Sequence, residues 1–296
     1  MTPAFRMQQV VKRYKNFQLG PLDMELEPGR VLGYIGLNGS GKTTTHHCLT
    51  GLIRPDGGAI DIGGLPKTMD SGEWKQHIGY VGDAPVFYER WSGGQNLKVF
   101  SQFYPNWSDS FARDLATRLR LPLDKKVKAL STGNRVKLAL VAALAHRPKL
   151  LLLDEPTSGL DPVVRQEVLE LLFDVVTDED RAILYSTHII SDLYRLADEL
   201  AFLADGQLIR RSLKEDLTAN WRRISCKLNG EIEKPPAVHR TTRERSQLVM
   251  ISSDYEETVK FLRAKGAENI DVTMVSIDEI TVEILKGKHY VATDKN

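Results

Sequence analysis

Apolar and polar positions alternate along Phe5–Val11 and Leu22–Leu26, a period of two that predicts a pair of antiparallel strands. Glu27-Pro-Gly29 turns the chain into Val31–Ile35, a short run that reads as a buried strand, and Thr44–Leu52 follows as a helix. Ala59–Ile62 and Ile78–Val81 are two more short strands. From Gln95 to about Leu121 the pattern is helical, interrupted at Pro105-Asn-Trp107, and a strongly apolar helix runs from Ser131 through Ala145. Leu150-Leu-Leu-Leu-Asp154 is apolar without alternation, as a strand covered on both faces of a parallel sheet must be. Val163–Val176 is an amphipathic helix, and Ala182–Ser186 is the next strand. Glu199–Leu203 and Gln207–Arg210 form a hairpin through Asp205-Gly206.

Around Leu213–Trp221 the character changes. Strands at Ile224–Leu228, Leu248–Ser252 and Ile270–Val275 and a helix at Tyr255–Lys265 predict a small α+β unit. Ile277–Leu285 fits helix and strand equally, and Lys234-Pro-Pro236 is expected in an exposed loop. The expected organisation is therefore an α/β domain over residues 1–212 with an inserted helical lobe at about 88–148, then an accessory domain over 220–296.

Composition narrows the function classes. The chain has 296 residues, of which 42% are hydrophobic and 27% charged, enough for one large domain and a small one. A net charge of +1 gives no case for a nucleic-acid-binding surface, so no nucleic acid partner is expected. Cys48 and Cys226 match no disulfide or metal spacing, which suggests a reducing compartment. The N-terminus lacks the apolar segment of a signal peptide, and no uncharged apolar run is long enough to span a bilayer. A soluble protein is expected, with any membrane role exercised through a partner.

The sharpest chemistry is in Gly36–Thr44, Gly-Leu-Asn-Gly-Ser-Gly-Lys-Thr-Thr, which fits G-x-x-x-x-G-K-[ST] at Gly36, Gly41, Lys42 and Thr43. Glycines let successive N–H groups curl around phosphate oxygens, Lys42 supplies a cation and Thr43 a hydroxyl for Mg²⁺. Asp154 and Glu155 end an all-apolar strand, where α/β sheets bind ligands. Asp154 is expected to hold Mg²⁺ through water, and Glu155 to polarise an attacking water. His188, at the end of the next strand, is either a phosphate contact or a structural histidine; His46 and His47 are expected on the first helix without chemistry. Tyr14 either stacks on a base or is a packed strand-end tyrosine. Phe87, Tyr88 and Trp91 fit packing or docking, and Ser131 with Gly133 fits a capped helix start.

Together these motifs resemble the nucleotide-binding subunit of an ABC transporter over about residues 5–212. The resemblance implies an ABC-type P-loop ATPase fold, with an antiparallel β subdomain and an inserted helical subdomain. Gly36–Thr44 matches the Walker A loop, so Asn38, Gly39, Ser40, Gly41, Lys42, Thr43 and Thr44 would bind nucleotide, with Tyr14 stacked on adenine. Leu150–Glu155 matches the Walker B strand with Glu155 as catalytic base, Ser158–Asp161 the D-loop and His188 the switch histidine. Leu130-Ser-Thr-Gly-Asn134 is similar to the family signature, placing Ser131, Gly133 and Asn134 over ATP in trans, although Thr132 and Asn134 depart from its usual glycine and glutamine. Asp83 stands where the family has a glutamine; it would approach the Mg²⁺ held by Thr43 and Asp154 with altered geometry.

Tyr104-Pro-Asn-Trp107, Leu138–Pro148, Asp161–Arg165 and the appended tail are most similar to bacterial exporter ATPases of the Ytr type. The implied protein hydrolyses ATP with Mg²⁺, pairs with a second ABC subunit as homo- or heterodimer and docks integral membrane subunits near Asp83–Trp91. It would lie in the cytoplasm on the inner face of the membrane. The alternatives are an importer subunit, or a soluble ABC ATPase acting on ribosomes or DNA. Against the latter, there is one phosphate loop, and the interval from Lys42 to Asp154 leaves no room for a long coiled coil.

Overall fold

The computed structural model describes residues 2–67, 72–177, 181–228, 233–244 and 247–292. The chain forms two compact units, Met1–Leu208 and Ile209–Asn296.

In the first unit, β1 (Phe5–Tyr14) pairs antiparallel with β2 (Phe17–Leu26), which is five residues longer at its start than the alternation predicts. β3 (Val31–Gly36) is buried at every position and leads to α1 (Lys42–Thr50). β4 (Gly57–Ile62) and β5 (Leu65–Pro66) complete a four-stranded antiparallel sheet of order β2-β1-β4-β5. After β6 (Ile78–Val81) come the three helices of an inserted lobe: α2 (Gly93–Phe100), α3 (Asp109–Arg118) and α4 (Thr132–Leu144). Serine caps start all three: Ser92, Ser108 and Ser131 accept from the backbone N–H three residues on.

β7 (Leu150–Asp154), α5 (Pro162–Thr177), β8 (Ala182–Ser186), α6 (Ile190–Leu196) and β9 (Glu199–Ala204) follow, and β10 (Gln207–Leu213) starts here and runs on into the second unit. The second sheet runs β10-β9-β3-β8-β7-β6, with β3, β6, β7, β8 and β9 parallel along their shared pairs. Parallel pairing sends the ends of β3, β7 and β8 to one edge, so Gly36, Asp154 and Ser186 meet there despite their distance in the chain. The core lies between the two sheets, where Phe5, Leu26, Leu32, Tyr34, Leu152 and Leu184 pack together. Asp205 and Gly206 both take positive φ (48° and 75°), the two-residue turn that Asp-Gly favours.

The second unit has α7 (Lys214–Asn220), β11 (Arg222–Lys227), β12 (Val238–Glu244), β13 (Gln247–Ser252), α8 (Tyr255–Ala264), β14 (Glu268–Met274) and α9 (Ile277–Ala292). Its sheet is β12-β13-β11-β14, antiparallel in each pairing. Ile277 onward is helical, which resolves the ambiguous segment. In the predicted Lys234-Pro-Pro236 loop, Lys234 and Pro236 are exposed as expected whereas Pro235 is buried, and Val238 at the start of β12 donates its N–H to the Pro235 carbonyl.

Candidate active site

The phosphate loop is shaped by what surrounds it. Gly41 caps α1 at φ +111°, and a Cβ there would meet Leu19 Cδ1 at 2.7 Å, so both conformation and space demand glycine. Gly39 also has positive φ (80°), with open space beyond it. The loop is braced from a distant turn: Gly206 donates its N–H to the Ser40 carbonyl (3.0 Å) and accepts from the N–H of Gly20 (2.7 Å). Lys42 is buried, and its ammonium donates to the carbonyls of Gly36 (2.7 Å) and Leu37 (3.4 Å). Burial pushes the Lys42 pKa down, while the charges of Glu155 and Asp154 oppose that shift. Asn38 and Thr43 are exposed, Thr44 is half-buried, and Ser40 is buried with its hydroxyl unpartnered.

Across the sheet edge, Asp154 is 1% exposed. Its Oδ1 accepts from the Ser186 hydroxyl (2.5 Å), whereas Oδ2 is buried without a hydrogen bond. A buried, unbonded carboxylate oxygen is costly unless a donor or cation completes it, which suits a hydrated metal ion. Among the described residues no cluster of three or more His, Cys, Asp or Glu side chains is able to hold a metal alone.

Glu155 sits in the left-handed region at φ 53°, donates its N–H to the Ser186 carbonyl (2.9 Å), and aims its carboxylate at two partners. Oε1 lies 3.9 Å from Lys42 Nζ, while Oε2 accepts from His188 Nδ1 (2.7 Å) and from the His188 backbone N–H (3.2 Å). Because a carboxylate only accepts, that contact puts a proton on Nδ1 and leaves Nε2 free on the exposed side of the ring. Lys42, Asp154, Glu155 and His188 thus form one constellation.

The other expected residues lie around it. Thr43, Asp83 and Asp154 line a cavity of about 620 Å³ that continues past Tyr80 to Phe87 and Ala142. Tyr14 is 44% exposed, paired across the hairpin with Phe17, whose ring edge abuts Gly41. Asp161 is exposed and accepts from the N–H groups of Val163 (3.0 Å) and Val164 (3.1 Å) at the start of α5. Ser131 is exposed at the start of α4, Asn134 is half-buried, and Gly133 packs on Val164, where a Cβ would meet Cγ1 at 2.9 Å. Among the described residues, neither Tyr14 nor Ser131 to Asn134 is seen hydrogen-bonded to the phosphate loop. His46, on the inner side of α1, is fully buried with neither ring nitrogen bonded, and burial holds its pKa down at about 4. Ser186, Thr157 and Asp192, which sequence reasoning passed over, make polar contacts behind the constellation. The one trace they leave is a polar residue closing an apolar strand, at Ser186.

Comparison with known proteins agrees with this geometry. The model of the ABC transporter family matches residues 19–158. The ABC transporter ATP-binding protein YtrB of Bacillus subtilis (strain 168) is 30% identical over 283 residues, 92% of this chain and 94% of that protein. The bacitracin transport ATP-binding protein BcrA of Bacillus licheniformis is 28% identical over 273 residues, covering 88% of this chain and 89% of its own. A solved ATP-binding subunit of an ABC transporter superposes with a TM-score of 0.66 at 27% identity, over 73% of this chain and 92% of that one. The phosphate loop, the carboxylate pair ending β7 and these likenesses converge, and the chain belongs to the ATP-binding proteins of ABC transporters, ATPases that bind and hydrolyse ATP.

Proposed function

We propose that this ATPase powers an exporter, working as a head-to-tail dimer docked on separate membrane subunits at the inner face of the membrane. The observation that carries the hydrolytic part is the Glu155–His188 contact facing Lys42 across the phosphate loop. Lys42 exchanges the Gly36 and Leu37 carbonyls for phosphate oxygens, while Tyr14 offers its exposed face to the base. Asn38, Gly39, Ser40, Gly41 and Thr44 surround the phosphates with backbone N–H and hydroxyl donors. Thr43, Asp154 and Asp83 would hold Mg²⁺, which when bound neutralises charge developing on the phosphates. Glu155 takes the proton of the attacking water, and His188 meets the γ-phosphate through Nε2. Ser131, exposed, and Asn134, half-buried, flank the buried Gly133 at a helix start; the three suit closure over a partner's ATP, with Asp161 at the same contact.

Docking near Asp83–Trp91 is supported by the exposure of Val86, Tyr88 and Trp91. That segment is tied to the signature helix by a two-pronged Arg135–Glu89 pair (2.5 and 2.8 Å), a mechanical link from docking surface to signature. Export is favoured by the likeness, at 31% identity over 223 residues, to a protein named for Nod factor export. The test is Glu155→Gln with ATP and Mg²⁺: ATP binding persists, hydrolysis falls at least about a hundredfold, and a dimer accumulates in light scattering. Hydrolysis at the wild-type rate would refute Glu155 as the base.

A further inference from the structure

Asp192, on α6, is fully buried, and its carboxylate gathers hydrogen bonds from three other elements. Oδ2 accepts from the Thr157 hydroxyl (2.6 Å) and the Tyr185 phenol (3.0 Å), and those two hydroxyls lie 2.9 Å from each other. Oδ1 accepts from Arg165 Nε (2.7 Å) and Nη2 (2.5 Å), and the same Nη2 donates to the Ser191 hydroxyl (2.7 Å). The donors come from the turn after β7, from β8 and from α5. Burial, reinforced by the charge of Asp192, raises the Tyr185 pKa, so that phenol remains a donor.

The placement matters because of what the cluster flanks. Thr157 is the second residue after Glu155, and Asp192 the fourth after His188. Tyr185 precedes Ser186, whose hydroxyl holds Asp154 and whose carbonyl receives the Glu155 N–H. Glu155 itself adopts a backbone conformation that L-residues disfavour, so its carboxylate is aimed by its surroundings rather than by local preference. Stability alone gives little reason for a buried carboxylate, since apolar replacements of buried ion pairs are often neutral or stabilising. A fully bonded network instead fixes one arrangement.

We propose that Asp192 is a positioning residue of the hydrolytic site, clamping the segment after Glu155 to the segment after His188 so that base and histidine keep their register. The inference rests on the assignment of Glu155 and His188 made above. Asp192 acts through its contacts with Thr157, Arg165 and Tyr185.

Steady-state ATP hydrolysis by the full chain tests this. Thr157→Val removes the hydroxyl while keeping the shape: kcat is expected to fall on the order of tenfold, with KM for ATP within about twofold, since misplaced catalytic groups cost rate while the phosphate loop is untouched. Thr157→Ser, which restores the hydroxyl, is expected to return kcat to within about twofold of wild type. A folded Thr157→Val with wild-type kcat, a loss confined to KM, or a Thr157→Ser as slow as Thr157→Val overturns the proposal. Should Thr157→Val fail to fold, Arg165→Lys, which keeps the charge but loses the two-pronged contact, is read by the same split. Glu155→Gln measured alongside separates the two readings. If it is inactive while Thr157→Val runs at the wild-type rate, only the clamp falls; if Glu155→Gln itself runs at the wild-type rate, the base assignment falls.

Discussion

His46 shows how much a single side chain is able to set against its surroundings. It is fully buried beside the phosphate loop, its ring nitrogens unbonded, and its pKa is pushed down from 6.5 to about 4. The native protein therefore takes up no proton at His46 until the pH nears 4, whereas the unfolded chain does so near 6.5. Between those values the unfolded state binds more protons, so stability falls as the pH drops. The loss is on the order of 3 kcal/mol across the window. His46→Leu, similar in size and free of polar atoms, is expected to raise Tm at pH 7.5 and to lose much less of it at pH 5; thermal unfolding at the two pH values checks this. Parallel acid sensitivity in both proteins would assign the effect to another group.

At the scale of elements, the turn between β9 and β10 is the brace of the phosphate loop. A Cβ on Gly206 would fall onto the Gln18 carbonyl, and its φ of +75° already strains any other residue. Gly206→Ala is expected to destabilise the protein by about 2 kcal/mol or more, read as a lower urea midpoint at unchanged m-value. This turn was legible in Asp205-Gly206, as the phosphate loop was in its spacing and β7 in its unbroken apolar run. What escaped was polar or distant. β12 reads Val-His-Arg-Thr-Thr-Arg-Glu and is largely exposed at a sheet edge, so no apolar alternation marks it. α6 and α7 span seven residues each, too short for a helical period to stand out. α9 was obscured by Ile277, Ile280, Thr281 and Val282, β-branched residues whose preference is for strands. The Asp192 cluster joins residues 27 and 35 positions apart, a proximity that only the fold creates.

For the whole molecule, no helix among the described residues is long and apolar enough to cross a membrane. Under the proposed function, passage across the membrane belongs to a partner subunit. Tagged protein purified from solubilised membranes is expected to bring a polytopic membrane protein with it; recovery with ribosomes or DNA instead would move the function away from transport. The order of strands has a consequence of another kind. β3 pairs with β8 and β9, never with the strands that flank it in the chain, and the Ser40 carbonyl receives its bond from Gly206. The nucleotide loop therefore leaves the ribosome well before the strands and the turn that wall it. Contacts of such long separation form slowly, since loop closure must precede them. Nascent chains ending before β9 should thus show no affinity for ATP, and competence should arrive abruptly once the Asp205-Gly206 turn has been synthesised and has closed onto Ser40.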